Sequence, residues 1–462
     1  KAGRERQRQQ GQIISHYGYD DQNRLHAHAV TQQECSLYQR QYDYDKTGNL
    51  SRILDTRKGE HHYSYDPLAR LTRAEHSQDV QERFGHDPAG NLLMQDRPGP
   101  DIVAGNRLVI QGDHHYDYDA FGNLIRERRG KEHRLVTEYR YDCQHRLIGL
   151  TQPNGQTASY RYDPFGRRIS KTVDGITTEF FWQGDKLIAE HHADRHRSYI
   201  YEPDSFRPLV LLEGFGPKDT KPFHYQLDHL GTPQELTNPD GEIVWSAHYR
   251  AYGEISRLDV GKIENPLRFQ GQYFDQESGL HYNRHRYYNP DIGRYLTPDP
   301  VKLAGGINAY RYVPNPIGWV DPLGLACASA DCPQVRPANS WKFNPDVDLD
   351  WSKQKGNSYE QMRMGLDEAF RRTGILKDEY NVSKWGKDQY GKSFPTEWRV
   401  EKGLNRGAEV NIDDPMLVPS KEGPKSPHIG YQTPGKRSGG GAKRGHILLE
   451  LVPISRSKIG IP

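Results

Sequence analysis

The sequence predicts a mainly β protein in which a large assembly of stacked β-hairpins precedes a small α+β domain. Its 462 residues include 29 Tyr, 45 Gly and 30 Pro, and the hydrophobic fraction is 34%. This composition is typical of many turns and of amphipathic aromatic side chains. A Tyr-x-Tyr-Asp motif recurs through the first half of the chain, whereas the last 137 residues lack it and contain one clear helical pattern.

Seven copies of the motif share one form. Two aromatic residues, the second replaced by His in one copy, flank any single residue, and Asp follows them. A turn comes next, and the copy ends in Leu or its substitute. The copies begin at Tyr17, Tyr42, Tyr63, Phe84, Tyr116, Tyr139 and Tyr160. Such a repeat indicates a repeated supersecondary unit. Alternating aromatic residues are typical of strands and the residues after Asp are typical of turns, so each copy predicts a strand, a turn and a strand. Stacked hairpins form a sheet that must coil or close to protect its edges.

These copies, of the form Y-x-Y-D-x-x-G-N/R-L, resemble the YD repeats of rearrangement hotspot (Rhs) proteins and of the C subunits of insecticidal toxin complexes. The resemblance covers roughly residues 11–325. It implies that the repeats spiral into a hollow β shell, or cocoon, of which residues 1–185 form the YD-repeat part. The alternative is another β solenoid built from Tyr-rich hairpins.

From Arg268 the chain reads RFQGQYFDQESGLHYNRHRYYNPDIGRYLTPDP, and NAYRYVPNPIGWVDPLGL follows. This resembles the Rhs-associated core, which ends in Asp-Pro-x-Gly-Leu, and it places that core at residues 186–325. The resemblance implies a self-cleaving aspartyl protease. Its residues would be Asp299 and Asp321 as paired carboxylates, Arg286 as their electrostatic partner, and Leu325–Ala326 as the scissile bond.

Paired carboxylates supply both groups that peptide hydrolysis needs. Two carboxylates that share one proton provide a base that activates water and an acid that protonates the leaving amine. Asp-Pro by itself more often opens a turn, so Asp299 and Asp321 also have a purely structural interpretation. The small polar residues after Leu325 suit the flexible start of a released passenger.

Charge and hydropathy restrict the classes of function. The net charge is +2, but residues 421–462 hold eight basic and two acidic side chains, which suits a polyanionic partner. No run approaches the roughly 18 apolar residues that span a bilayer, which opposes a membrane pore. The four cysteines show no C-x-x-C spacing, so no zinc site is predicted, although Cys327 and Cys332 could pair with each other.

Residues 326–462 predict a small α+β toxin domain. The segment NSYEQMRMGLDEAFRRTG predicts a helix with Ser358 as its N-cap, Gln361 completing a capping box and Gly374 as its end. One face of that helix is apolar through Met362, Leu366, Ala369 and Phe370. Strands are predicted at TEWRVEKG, GAEVNI, HIGYQT and GHILLELVPI.

Two histidines lie at the beginnings of the last two predicted strands. Antiparallel pairing can bring His428 and His446 to one end of the sheet, where one imidazole can accept the proton of a ribose 2′-OH and the other can protonate the departing 5′-oxygen. Cations in and beside the Gly-rich connector can neutralise the phosphorane: Lys436, Arg437, Lys443 and Arg444. A single His is more often structural, and a basic Gly-rich loop is often only a solvated connector.

This tail resembles the polymorphic toxin type 47 family of predicted ribonucleases, through P-H-x-G-x-x-T-P-G-K and a later G-H-I. The resemblance covers roughly residues 385–453. It implies a ribonuclease related to the barnase-like and colicin-like folds, with His428, His446 and Lys436 as catalytic residues and with neither metal nor cofactor.

Three alternatives remain open for the tail. A metal-dependent DNase could use Glu409 with Asp413 and Asp414, but no H-N-H or D-x-x-E-x-K spacing is present. An ADP-ribosyltransferase could use Arg399 or Arg406 with Glu409 or Glu450, but no convincing Ser-Thr-Ser strand is present. A structural shell with a tail that binds nucleic acid without catalysis is the third alternative.

The Rhs resemblance implies a secreted effector that is delivered to the cytoplasm of a target bacterium. The expected partners are a cognate immunity protein, RNA of the target cell, and the shell, which would hold the cleaved toxin non-covalently. Type VI secretion is the family's usual route. The chain opens with KAGRERQRQQ, without an initiating Met or a signal sequence, so we expect the segment that docks on the secretion apparatus in a missing N-terminal part.

Overall fold

The computed structural model describes residues 4–33, 35–77, 81–96, 99–216, 219–302, 306–325, 344–351, 358–388, 393–413, 428–434, 442–449 and 454–455. The chain divides into two units, Lys1–Ala330 and Asp331–Pro462. None of the helices within these described ranges has the length and apolar character needed to cross a membrane. Several residues named in the sequence-based predictions lie outside the described residues: Ala326, Cys327, Cys332, Asp414, Lys436, Arg437 and Glu450.

Strands of the first unit pair antiparallel with their neighbours in chain order. Over the described residues, the first sheet has nine strands: β1 (Gln7–Gln10), β2 (Ile13–Tyr19), β3 (Leu25–Gln32), β4 (Cys35–Tyr44), β5 (Leu50–Asp55), β6 (Gly59–Tyr65), β7 (Leu71–His76), β8 (Glu82–His86) and β9 (Leu92–Met94).

The second sheet continues the same pattern, again counted over the residues that are described. Its sixteen strands are β10 (Asp101–Ala104), β11 (Arg107–Gln111), β12 (His114–Tyr118), β13 (Leu124–Arg129), β14 (Leu135–Tyr141), β15 (Leu147–Thr151), β16 (Thr157–Tyr162), β17 (Arg168–Val173), β18 (Ile176–Gln183), β19 (Lys186–His192), β20 (Arg195–Tyr201), β21 (Pro208–Gly214), β22 (Thr220–Leu227), β23 (Pro233–Thr237), β24 (Ile243–Tyr249) and β25 (Ile255–Gly261). A 3₁₀ turn, Lys131–His133, lies between β13 and β14.

Each motif copy folds as the predicted strand, turn and strand. In the copy that begins at Tyr42, the register shifts just before Tyr44, which pairs with Leu50. Asp45 closes the turn because its Oδ1 accepts the backbone N–H groups of Thr47 and Asn49. Tyr42 and Leu50 are buried in the core. The motif therefore encodes both the turn and the two side chains that anchor it.

The second tyrosine of a copy joins it to the copy before. The phenol of Tyr44 donates to the carbonyl oxygen of Leu25 at 2.8 Å. The same bond recurs down the chain, from Tyr65 to Leu50, Tyr141 to Leu124 and Tyr162 to Leu147. A hydrogen bond of this kind contributes about 1 kcal/mol, so the series adds a regular stabilisation along the sheets.

A third sheet of the first unit packs on the second sheet. In the described part of the chain its four strands are β26 (Tyr273–Asp275), β27 (Leu280–Asn283), β28 (Arg286–Asn289) and β29 (Arg294–Tyr295). Buried Arg168 of β17 forms a salt bridge with Asp275 of β26, and its guanidinium lies 4.4 Å from the ring centroid of Tyr282. This contact ties the second sheet to the sheet that carries Arg286, one of the predicted protease residues.

The second unit contains helix α1 (Ser358–Thr373) against one face of a sheet. The described strands are β30 (Leu349–Asp350), β31 (Asn381–Asp388), β32 (Ser393–Arg399), β33 (Glu409–Asp413), β34 (His428–Gln432), β35 (Arg444–Leu448) and β36 (Ile454–Ser455), in the order β30-β35-β34-β33-β32-β31-β36. A 3₁₀ turn spans Lys377–Glu379.

The predicted helix and its apolar face are confirmed. Met362 and Ala369 are fully buried in a core that also contains Ile429 of β34 and Ile447 of β35. Gly374 follows the helix with φ +73°, the left-handed conformation that commonly ends helices. The four predicted strands are also found, as β32 to β35, and the structure adds β30 and β31, for which no strand was predicted.

Candidate functional site

Arg286, Asp299 and Asp321 lie together in the first unit. Arg286 Nη2 is 2.9 Å from Asp299 Oδ2 and 3.7 Å from Asp321 Oδ2, and the three side chains expose 0%, 2% and 6% of their surface. Burial raises the pKa of both carboxyl groups, and the Arg286 guanidinium opposes that rise. The structure therefore brings the three predicted residues together, with two buried acids on one guanidinium.

A tight hairpin positions Arg286. Arg284 and His285 form the two-residue turn between β27 and β28, so Asn283 and Arg286 face each other as a cross-strand pair. Asn283 Nδ2 donates to the backbone oxygen of Asp321 at 2.9 Å. Arg286 Nε donates to the backbone oxygen of Gly324 at 2.5 Å. Both members of the pair thus hold the Asp-Pro-Leu-Gly-Leu segment.

That segment folds back onto its own carboxylate. The backbone N–H of Leu325 donates to Asp321 Oδ1 at 3.0 Å. Gly324 has φ +70°, and a Cβ at this position would lie 2.6 Å from the carbonyl oxygen of Asn283, so glycine is required here. The last residue before the predicted scissile bond therefore lies beside the carboxylates, while Ala326 itself is outside the described residues.

His428 and His446 lie side by side in the second unit. Strands β34 and β35 pair antiparallel with Gly430 opposite His446. The two imidazole centroids are 5.3 Å apart, with their planes at 73°. His428 is buried, whereas the side chain of His446 exposes 26% of its surface. The predicted juxtaposition of the rings is confirmed, and their catalytic role stays a prediction.

Asp348, which the sequence analysis did not single out, contacts His446. Its Oδ1 lies 3.0 Å from His446 Nδ1 and accepts the backbone N–H of His446 at 2.8 Å. A carboxylate at Nδ1 favours the tautomer that is protonated there, in which Nε2 carries the lone pair that can accept a proton. Asp348 directly precedes β30, which pairs with β35 in parallel. No motif or spacing in the sequence signals this long-range contact.

The histidines belong to a polar face of the sheet. Because Ile429 and Ile447 point into the core with α1, the residues alternating with them point away from it. The strand register places these side chains on that polar face: Glu397, Arg399, Glu409, Asn411, His428, Gln432, Arg444 and His446. Lys443 and Arg444 are exposed where β35 begins.

Comparison with known protein families supports the assignment of a shell and of a C-terminal toxin domain. Residues 4–316 match the Teneurin YD-shell family, and residues 338–456 match the Bacterial toxin 47 family. Double-stranded DNA deaminase toxin A of Burkholderia cenocepacia (strain H111) is 36% identical over an alignment that covers 70% of this chain and 25% of that protein. Probable deoxyribonuclease RhsB of Dickeya dadantii (strain 3937) is 35% identical, with 63% and 21% covered.

Among solved structures, the crystal structure of TcdB2-TccC3-Cdc42 matches with a TM-score of 0.52 and 19% identity, covering 70% of this chain and 19% of that chain. This similarity concerns the fold. The present chain spans about a quarter or less of the length of these relatives. Since the shell family matches well over half of the chain, the chain belongs to the teneurin YD-shell family and is an Rhs polymorphic toxin with a C-terminal toxin domain.

Proposed function

We propose that the chain is the C-terminal part of a secreted Rhs effector of interbacterial competition, in which autoproteolysis separates a toxin from the shell. Residues 1–185 form the YD-repeat shell, residues 186–325 the self-cleaving core, and residues 326–462 the toxin. The observation that carries the proposal is the hydrogen bond between Leu325 N–H and Asp321, beside Arg286 and Asp299.

Cleavage at Leu325–Ala326 requires one base and one acid. One carboxylate takes a proton from water as the water oxygen attacks the carbonyl carbon of Leu325. The other, protonated, delivers its proton to the nitrogen of Ala326 as the C–N bond breaks. Arg286 stabilises the negative charge of the cluster and holds the Gly324 carbonyl in place.

The test is the mass of the purified chain. We expect denaturing electrophoresis and intact mass spectrometry to give two fragments, residues 1–325 and 326–462. Under native conditions the fragments are expected to elute together, because we propose that the shell retains the toxin non-covalently. A single intact chain with Asp299 and Asp321 unchanged would contradict the proposal.

Gly271→Ala is expected to slow cleavage by about tenfold or more without touching a carboxylate. Gly271 has φ +81°, and a Cβ there would lie 1.9 Å from the carbonyl oxygen of Pro322, so the Asp321 segment must move. Gly279→Ala is the matched control, because Gly279 has φ +73° but open space around its Cβ position. Cleavage is followed with time on denaturing gels; equal rates in the two variants would show that the Pro322 contact is unimportant.

We further propose that residues 326–462 are a metal-independent ribonuclease. The paired imidazoles carry this proposal, together with the match to the type 47 family. His446, oriented by Asp348, takes the 2′-OH proton through Nε2, and His428 as the imidazolium protonates the departing 5′-oxygen. Lys436, Arg437, Lys443 and Arg444 neutralise the phosphate charge.

The experiment presents the released toxin with RNA, with DNA and with NAD, each with and without EDTA. We expect RNA cleavage that survives EDTA and leaves 2′,3′-cyclic phosphate ends. The curated relatives bear the names of a DNA deaminase and of a probable deoxyribonuclease, so DNA is an essential arm. DNA cleavage that EDTA abolishes would indicate a metal-dependent DNase, and nicotinamide release would indicate an ADP-ribosyltransferase.

Asp348→Asn is expected to lower kcat on RNA by about tenfold or more, because the carboxylate that orients the His446 ring through Nδ1 is lost. Asp346→Asn, in the same segment but exposed, is the control. Equal kcat values for Asp348→Asn and Asp346→Asn would mean that Asp348 only holds its loop.

Delivery and protection complete the proposal. We propose that the effector reaches the cytoplasm of a target bacterium by type VI secretion and that a cognate immunity protein protects the producer. Co-expression of the toxin with genes that neighbour its own, scored by survival of the host, tests for the immunity protein. Survival of a host that expresses the toxin without any neighbouring gene would contradict toxicity in the cytoplasm.

A further inference from the structure

Tyr295 lies between Arg286 and Asp321 in the carboxylate cluster. Its ring packs against the guanidinium, with 3.7 Å between Arg286 Cζ and the ring centroid. Its phenol donates to Asp321 Oδ2 at 2.8 Å. Tyr295 is itself buried, and burial raises the pKa of its phenol well above the usual range. The phenol is therefore a permanent hydrogen-bond donor rather than a group that titrates with the carboxylates.

Asn283 fixes the direction of that donation. Asn283 Nδ2 donates to the phenolic oxygen of Tyr295 at 2.8 Å and is completely buried. Because the phenolic oxygen accepts this bond, its own proton points toward Asp321. The same Nδ2 donates to the backbone oxygen of Asp321. The carboxylate, the phenol and the backbone of the Asp321 segment are thus held by one amide.

The two carboxylates consequently receive different donors. Asp321 accepts Leu325 N–H at Oδ1 and the Tyr295 phenol at Oδ2, so both of its oxygens act as acceptors, as in the ionised form. Asp299 accepts Arg286 at Oδ2 and the backbone N–H of Val301 at Oδ1. Both oxygens of each acid therefore act as acceptors, and the acids differ in their donors: Arg286 lies closer to Asp299, whereas the Tyr295 phenol donates to Asp321.

We propose that Tyr295 is a positioning residue for autoproteolysis, whose phenol orients the Asp321 carboxylate and favours its ionised form, so that Asp321 acts as the base. This inference rests on the proposed autoproteolysis. Asp321 then accepts the proton of the attacking water, and Asp299 delivers the proton to the nitrogen of Ala326. The reaction consumes one water and leaves a carboxyl group at Leu325 and an amine at Ala326.

The charged and titratable groups around Asp321 allow a specific pH test. Arg286 and Asp299 face it across the cluster, Tyr295 donates to its carboxylate, and the Tyr312 hydroxyl accepts its backbone N–H at 3.4 Å. Of these, Tyr295→Phe removes only a neutral donor. Because a hydrogen bond to the ionised form lowers the pKa of an acid, its loss raises the pKa of Asp321.

The full chain is synthesised in a cell-free system during a short labelling pulse and is then diluted into buffers from pH 4.5 to 8.5. The rate of its cleavage is measured at each pH. For Tyr295→Phe we expect the acidic limb of the rate profile to move up by about one pH unit, with about tenfold slower cleavage on that limb. The rate should recover at higher pH. Tyr295→3-fluorotyrosine, a stronger donor with the same shape, should move the limb to lower pH.

Tyr288→Phe is the matched control. Tyr288 is buried beside Tyr295, with the ring centroids 5.7 Å apart, and its phenol donates to the backbone oxygen of Tyr252 instead of a carboxylate. It should cleave with the wild-type profile. Resistance to trypsin confirms that each variant is folded.

The possible results distinguish failure of the Tyr295 proposal from failure of the autoproteolysis proposal. If Asp321→Asn is inactive but Tyr295→Phe has the wild-type rate and profile, the inference about Tyr295 is wrong and autoproteolysis stands. Equal slowing of both Tyr→Phe variants at every pH would also overturn it, because it would indicate packing alone. If the Asp321→Asn chain is still cut after Leu325, the autoproteolysis proposal itself fails.

Discussion

Replacing Asp321 by Asn is expected to leave the chain as a single polypeptide of 53.2 kDa. The amide is nearly isosteric with the carboxylate, but it cannot take a proton from water and it removes one charge next to Arg286. Loss of a general acid or base usually slows a reaction by about 10² to 10⁴. Since Asp299 has the complementary role, Asp299→Asn should have the same effect.

Denaturing electrophoresis with intact mass spectrometry gives the fraction cleaved at successive times. Asp291→Asn is a suitable control, because Asp291 belongs to the same sequence motif but lies outside the Arg286 cluster. Cleavage of Asp321→Asn and Asp299→Asn at the wild-type rate would show that the cluster is structural, as Asp-Pro turns often are.

Alanine at His428 or His446 should reduce turnover of RNA by about 10² to 10⁴, the usual contribution of one acid or base. The wild-type toxin should have a bell-shaped pH profile, because one imidazole must be neutral and the other protonated. Each His→Ala variant should lose one limb of that profile. Rates measured on a defined oligoribonucleotide in the presence of EDTA test this expectation.

Lys443→Ala provides the contrasting control. Lys443 is exposed at the edge of the site, so its loss should raise KM and flatten the dependence of binding on salt, with little change in kcat. If both His→Ala variants remain as cytotoxic as the wild type, the assignment of the histidines is wrong even if the toxin is a ribonuclease.

Much of the fold of the first unit was predictable, because the sequence signals for its strands and turns lie within short segments. The aromatic alternation and the Asp-initiated turn recur within each copy, so the hairpins follow from about nine consecutive residues. The hydrogen bonds between copies, such as Tyr44 to Leu25, depend on a register shift inside each hairpin. Periodicity alone does not reveal such a shift, because it concerns pairing between strands.

The candidate sites were likewise predictable only where the contacts between their residues follow from local sequence or from a known motif. His428 and His446 could be paired from the sequence because they occupy adjacent antiparallel strands. The contact of Asp348 with His446 could not be predicted from the sequence, because it depends on a parallel strand of only two residues. Arg286, Asp299 and Asp321 were predicted from their resemblance to a known motif. Tyr295 was one tyrosine among 29, and its hydrogen bond to Asp321 became recognisable only from side-chain geometry.

The hydrogen bonds from the second tyrosine of four copies to the preceding copy make the wall of the shell modular; these tyrosines are Tyr44, Tyr65, Tyr141 and Tyr162. Each unit is tied mainly to its immediate neighbours, so its stability is nearly a sum of unit and junction contributions. Because a copy contributes two strands, adding or removing a whole copy preserves the direction of every strand that follows. Removing one strand would reverse them all. Duplication of complete copies therefore offers evolution a route to longer walls without any change in the direction of the strands that follow.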